Sequence, residues 1–380
     1  MAIHIQNFTS VNLFDKTGSE YIAKSIFVDD AGLVCQSLPP ADNVTVLDCK
    51  GAYLSLGWAD LHVHVWYGGT DFSIRASQAG VQYGVTAMAD AGSAGEANFH
   101  GLREYVIDQQ PESIKAFLNI GTIGLVACNR VSELADENSI DKARILKVIE
   151  QNKDVICGIK VRAGNIIVKD HDIISVIKAK QIAQITGLPL MVHIGSAPPS
   201  LDAIFDLLDE GDIITHCFHG KQGNNIVDTK EIFEKACQLN ERGILLDIGH
   251  GAASFDFSVA AQAIENGLTP FSISTDLHAR NYKGPVYDLA TTVSKLHKLG
   301  MGFTESVKAI TTNPRQFMGL STQIKFGQKA DFTIFDIVPS QEIVTDSAGN
   351  QMSLDKAFEP RHVVLGNKIY KAARHKKRNI

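Results

Sequence analysis

The sequence predicts an α/β fold: a (β/α)8 TIM barrel with a small β-sandwich domain built from both chain ends. Three observations predict it. Across residues 55–323, short β-branched runs alternate with helical patterns, eight strands over a stretch close to the usual size of such a barrel. Both flanks, 1–54 and 324–380, read instead as short strands and turns. No Gly-x-Gly-x-x-Gly follows an early strand and no phosphate loop is present, which counts against the rival, a doubly wound open sheet.

Taken in order, the first flank offers a strand over Tyr21–Val28 that ends in the turn Asp29-Asp30-Ala31-Gly32, then Thr45–Asp48 and Ala52–Leu54. The expected barrel strands are Leu54–His64, Val85–Asp90, Ile114–Gly121, Val155–Val161, Leu188–His193, Asp212–His216, Ile244–Ile248 and Phe271–Asp276. Helical periodicity falls between them, as in Lys142–Gln151, His171–Ile185, Leu201–Glu210, Lys230–Glu241 and Ser258–Asn266. The last flank offers a strand over Ala330–Asp336 and a hairpin, His362–Tyr370, around Gly366-Asn367. The division expected is a hydrolase-sized barrel over 55–323 and a composite sandwich from 1–54 and 324–380.

The 380 residues are 44% hydrophobic and 21% charged, the balance of a soluble globular protein. A net charge of -6 argues against a nucleic-acid groove. The only basic run, Arg374-His375-Lys376-Lys377-Arg378, reads as a solvated, frayed terminus. Residues 1–10 lack a basic stretch followed by an apolar core, and no run of about 18 apolar residues exists. Neither a signal peptide nor a membrane span is expected. Six cysteines without a Cys-x-x-Cys fit reduced thiols, hence a cytoplasmic location.

Chemistry concentrates at strand ends. Residues two apart on a strand share a face, so His62 and His64 present both imidazoles to one side. Alone, the pair also describes a strand end with two hydrogen-bonded histidines. In a barrel, however, active sites form at the carboxyl ends of the strands. There the fourth run ends in Lys160, the fifth in His193, the sixth in His216 and the eighth in Asp276, each after apolar residues. Cys217 is turned away by strand alternation. An ammonium cannot bind metal, but burial near cations frees the amine of Lys160. A free amine adds CO2 to give a carbamate, a carboxylate able to bridge two divalent ions. The bland alternative is a snorkelling or ion-paired lysine.

Together His62-Val63-His64, Lys160, His193, His216 and Asp276 resemble the binuclear metal centre of the amidohydrolase superfamily. Within it, several segments are similar to the deacetylase subgroup of dihydroorotase-like and D-aminoacylase-like hydrolases. These are Gly158-Ile159-Lys160-Val161-Arg162, Val192-His193-Ile194-Gly195-Ser196-Ala197-Pro198-Pro199, Thr215-His216-Cys217-Phe218, Asp247-Ile248-Gly249-His250-Gly251 and Gly284-Pro285-Val286-Tyr287-Asp288-Leu289. The resemblance implies that His62, His64 and Asp276 hold the more buried ion, His193 and His216 the second, and carboxylated Lys160 bridges them. Zinc is the default, with manganese or iron(II) as alternatives.

The activity implied is hydrolysis of an amide or ester by metal-bound hydroxide, with Asp276 as general base and then acid. No Gly-x-Ser-x-Gly elbow is present, and no Ser or Cys nucleophile is needed. The substrate class implied is a small N-acyl amino acid or O-acyl hydroxy acid. Arg162 and Arg280 are candidates for its carboxylate, or else pair with surface acids. His250 is a candidate donor to its carbonyl, or a loop cap. His219 and His278 read as bystanders, and Trp66 and Tyr67 as mouth lining or loop packing. True dihydroorotases carry an Arg two residues after the second His, where this chain has Trp66. One-metal adenosine-deaminase-type sites lack the bridging lysine. A cyclic amidase of hydantoinase or dihydroorotase type is the alternative within enzymes. A non-catalytic binding or assembly relative is the alternative outside them, although such relatives lose ligands. The partner expected is a small molecule, not nucleic acid or membrane; relatives of this kind commonly form homo-oligomers.

Overall fold

The computed structural model describes residues 1–14, 18–20, 24–38, 44–128, 130–134, 136–168 and 172–377. Tyr21–Ala23 of the first expected strand, His171 of an expected helix and Arg378 lie outside them. Seven parallel strands run side by side in chain order: Trp58–Val63, Val85–Ala91, Ser113–Asn119, Ile156–Arg162, Leu190–His193, Ile213–Thr215 and Leu245–Asp247. Their residues are almost all buried, as expected where helices cover a parallel sheet.

The eighth run closes the ring without regular strand structure. It bridges the seventh strand at Ser272 and the first at Leu277. Asp276 N donates to His62 O at 2.7 Å. Beside it, the Asp60 carboxylate replaces part of the ladder, accepting from Thr275 N at 3.0 Å and Thr275 Oγ1 at 2.6 Å.

The expected first strand, Leu54–His64, is two strands. Tyr53–Leu56 belongs to a different sheet, and the barrel strand starts at Trp58. Gly57 is the switch between them. A Cβ there would sit 2.0 Å from both Asp331 Oδ1 and Thr86 Oγ1, so only glycine passes. Tyr53–Leu56 pairs with Asp331–Pro339 in a five-stranded sheet that also holds Thr9–Ser10, Lys356–Leu365 and Lys368–Lys371. A second sheet orders Val34–Cys35, Ser25–Val28, Ala2–Gln6 and Val44–Asp48. Ile3, Ile5, Ile26, Val28, Leu54, Phe332, Ile334 and Val364 form one apolar cluster between these two sheets.

Helices Lys142–Gln151 and Lys230–Glu241 match their expected bounds, and each starts on a capping side chain, Asp141 and Thr229. The expected helix Leu201–Glu210 is one short turn, Leu201–Phe205. Leu289–Lys298 was not among the expected helices; beside its apolar Leu289, Ala290, Val293 and Leu296 it also buries Thr291, Thr292, Ser294 and Lys295.

Residues 374–376, the part of the basic run whose side chains are described, do not behave as a frayed terminus. Arg374 is only 3% exposed, and its Nη1 meets Glu342 Oε2 at 2.6 Å. Lys376 pairs with the same carboxylate, and His375 N donates to Asp288 Oδ2. The acids that neutralise this segment are distant in sequence, so local composition hides them. No described helix is long and apolar enough to cross a membrane.

Candidate active site

The carboxyl ends of the strands open into a cavity of about 350 Å3. His62, His64, Lys160, His193, His216 and Asp276 all line it, on its floor. Asp276 Oδ1 lies 3.1 Å from His64 Nε2 and 3.4 Å from His62 Nε2. Lys160 Nζ lies 3.4 Å from His62 Nε2, and the His193 and His216 rings meet edge-on at 4.3 Å. The donor atoms of His62, His216 and Asp276 fall within 4.8 Å of one another. This tightest trio crosses the two-ion division that the family resemblance implies.

The ring orientations follow from what holds the far nitrogens. Thr215 Oγ1 donates its hydrogen to Asp247 Oδ2 at 2.7 Å, so at 2.8 Å from His62 Nδ1 it accepts. The Gly249 carbonyl can only accept, which puts a hydrogen on His216 Nδ1 at 2.6 Å. His64 Nδ1 meets Ser93 Oγ at 2.9 Å. With Nδ1 protonated, Nε2 of His62 and His216 keeps a free lone pair toward the cavity, the state a metal ligand requires. Burial supports that state. It holds His62, His193 and His216 well below the usual imidazole range and His64 at about 3.

Two backbone features aim the ligand side chains. His216 and Asp276 adopt left-handed conformations, φ 68° and 49°, where the chain turns out of its strand. The Gly249-His250-Gly251 turn packs beneath them. A Cβ on Gly249 would lie 2.4 Å from Thr215 Oγ1, and one on Gly251 2.5 Å from Asp276 Oδ2.

Lys160 is fully buried, and burial pushes its ammonium pKa down. Its neighbours are His62 Nε2 and Met191 Sδ at 3.3 Å; among the described residues no oxygen accepts from it. A buried charged amine so placed is costly, whereas a neutral one is available to CO2. Four neutral imidazoles, one carboxylate and such an amine make a donor set that fits divalent cations of the zinc type. Burial also raises the Asp276 carboxyl above its usual range.

The wall is different. Arg162 reaches the cavity, with Nη1 3.1 Å from Cys128 Sγ and Nε 3.6 Å from Glu133 Oε1. Arg280 stands exposed at the rim. Lys221, which sequence reasoning passed over, lines the cavity, and its ammonium has no side-chain partner among the described residues. His278 also lines it, its ring tilted against Phe72 at 4.9 Å, where a bystander was expected. Phe72, Leu125, Ile167, Ala252 and Ala253 supply the apolar surface.

The structure does not bring His250 to the cavity. Its ring is buried, with Nδ1 2.9 Å from Gly251 O and Nε2 2.8 Å from Lys295 Nζ, so neither nitrogen is left for a substrate carbonyl. His219 is buried behind the wall, accepting from Lys221 N at 3.1 Å. Trp66 packs on Gly69, and Tyr67 lies exposed under Arg75. Neither lines the cavity.

No family model matches the chain. A deacetylase of Brucella anthropi is 51% identical over 338 residues, covering 88% of this chain and 84% of that protein. A crystal structure described as a dihydroorotase superposes with a TM-score of 0.94 at 46% identity, over 99% of both chains. One described as an adenine deaminase gives 0.86 at 34% identity, over 97% of this chain and 99% of that one. The three names differ in substrate and agree in fold and kinship. The chain belongs to the deacetylase group of the amidohydrolase superfamily.

Proposed function

We propose that the chain is a binuclear metal-dependent hydrolase that removes an acyl group, acetyl first among them, from a small N-acyl amino acid or O-acyl hydroxy acid. The observation that carries this reading is the two-sided cavity, with nitrogen and oxygen donors on the floor and the cations Arg162, Lys221 and Arg280 on the wall. His62, His64 and Asp276 would hold one ion and His193 and His216 the other, with carboxylated Lys160 between them. Zinc suits these donors first, manganese or iron(II) next. Ions bound there supply a Lewis acid for the scissile carbonyl and a lowered pKa for the attacking water.

The chain's own groups do the rest. Asp276, on the cavity floor and raised in pKa by burial, takes the proton of the attacking water and returns it to the leaving nitrogen or oxygen. Lys221 and Arg162 bind the substrate carboxylate, and Phe72, Leu125 and Ile167 pack its side chain and exclude water. Free cysteines among the described residues fit work in the reducing cytoplasm. A second reading, ring opening of a cyclic amide, is raised by the likeness to the structure described as a dihydroorotase. The same floor would serve it.

The test is acetate release from a panel of N-acetyl D- and L-amino acids and O-acetyl hydroxy acids, with zinc-loaded protein in bicarbonate and Lys160→Ala beside it. Turnover of a panel member that Lys160→Ala loses is the expected result. No turnover, with two metals still bound per chain, overturns the deacetylase reading and leaves hydantoins and dihydropyrimidines as the next panel.

A further inference from the structure

We propose that Lys295 is a positioning residue of the cavity wall, a buried ammonium that ties the loops after the seventh and eighth barrel runs to the hairpin Ile343–Ser353 and thereby holds Ala252–Ser254 in place over the floor. The inference rests on the reading of this cavity as the substrate site, but not on which substrate enters it.

Lys295 sits on the helix Leu289–Lys298 with none of its surface exposed. Its Nζ lies 2.8 Å from His250 Nε2, 2.8 Å from Pro285 O and 2.7 Å from Thr345 O. These acceptors belong to three segments far apart in sequence. No carboxylate pairs with it among the described residues. The hydrogen count fits an ammonium. His250 Nδ1 faces a carbonyl, Gly251 O, and so carries the hydrogen, which leaves Nε2 as an acceptor. Three N–H groups then meet three acceptors. A neutral amine has two hydrogens and would leave one acceptor unserved. Burial and Lys376 pull the pKa of Lys295 down to about 7, against Asp346, Asp288 and Glu342, which raise it. A methionine would fill the same volume without that cost, so the donors are what the position uses.

The segment so held has a second tie. Ser347, at the tip of the hairpin, takes Phe255 N at 3.1 Å on its Oγ and gives its own N–H to Phe255 O at 3.0 Å. Asp346 Oδ2 accepts from Phe257 N at 3.2 Å. Between the ties run Gly251, which backs Asp276, and Ala252, Ala253 and Ser254, which line the cavity; Gly249, whose carbonyl orients His216, directly precedes the first tie. A hairpin outside the barrel thus reaches the cavity through Lys295 and Ser347.

The test compares Lys295→Met and Ser347→Ala with the parent protein, each zinc-loaded, by peptide-resolved hydrogen exchange, metal content and steady-state kinetics on whichever acetylated substrate the panel identifies. For Lys295→Met the expected result is exchange faster by on the order of tenfold over 249–257, 283–288 and 343–353, barrel strands and two metals unchanged, and KM raised about tenfold with kcat within about threefold. Ser347→Ala, which removes only the second tie, speeds exchange over 249–257 and 343–353 and leaves 283–288 as in the parent. Lys295→Gln, which keeps a polar side chain but cannot serve three acceptors, decides the matter if Lys295→Met does not fold. Parent-like exchange in those segments, or exchange raised evenly across the barrel, overturns the proposal. The exchange arm needs no substrate, so failure of the deacetylase reading is told apart from failure of this one.

Discussion

On the floor of the cavity, three imidazoles are held from behind by hydrogen bonds; on the wall, the cations are held loosely. His62 rests on Thr215 and Asp247, His216 on Gly249 and His64 on Ser93. By contrast Lys221 has no side-chain partner among the described residues, Arg280 is exposed, and Arg162 leans on a thiol and a distant carboxylate. The floor rises from strand ends fixed by the barrel; the wall comes from loops, except for Arg162 at the end of the strand Ile156–Arg162. A rigid reaction centre under an adjustable rim lets one chemistry serve several substrates. That is consistent with similar proteins bearing the names deacetylase, dihydroorotase and adenine deaminase.

The largest effect that would sharpen this contrast is Asp276→Asn, expected to lower kcat on the order of a thousandfold or more while metals stay bound. Near-normal turnover with full metal content would break the floor assignment. Next, Lys160→Ala should lose metal itself, read by elemental analysis after gel filtration. Two ions retained per chain would remove the bridging role. Thr215→Val keeps shape but deletes the acceptor behind His62, and metal affinity should fall about tenfold to a hundredfold in chelator competition. Lys221→Met should leave metal and kcat alone and raise KM about tenfold for a carboxylate substrate, with little change for its neutral amide analogue. Equal effects on both analogues would take the carboxylate contact away from Lys221. Smallest, and away from both regions, Asp141→Ala removes the cap on Lys142–Gln151 and should cost about 1 kcal/mol of stability with unchanged kinetics.

The same contrast explains what was legible in the sequence. Lys160, His193, His216 and Asp276 stand out because apolar runs mark the strand ends they occupy. Thr215, Asp247 and Ser93 do not, since hydroxyls and acids on or beside strands have many ordinary uses. Lys221 lies on a loop, where no periodicity singles it out. His250 misled because its turn buries the ring against Lys295, a residue 45 positions on that nothing local to the turn reveals. The run Leu54–His64 looked like one strand because both sheets bury apolar residues, and only the contacts of Gly57 reveal the change of partner.

That change of partner has a practical consequence. At the Gly57 joint, Arg315 is buried with Nη1 3.1 Å from Gly57 O and Nη2 2.8 Å from Asp331 Oδ2, while Thr333 Oγ1 accepts from Trp58 N at 3.1 Å and donates to Gly84 O at 2.7 Å. A barrel trimmed to residues 55–323 would keep the guanidinium and lose its acid, and would leave a buried N–H of its own first strand unmet. Chimaeras that graft this barrel onto another protein's flanks should therefore misfold unless Asp331 and Thr333 travel with it, so the unit of transplantation runs past 323 into the strand Asp331–Pro339.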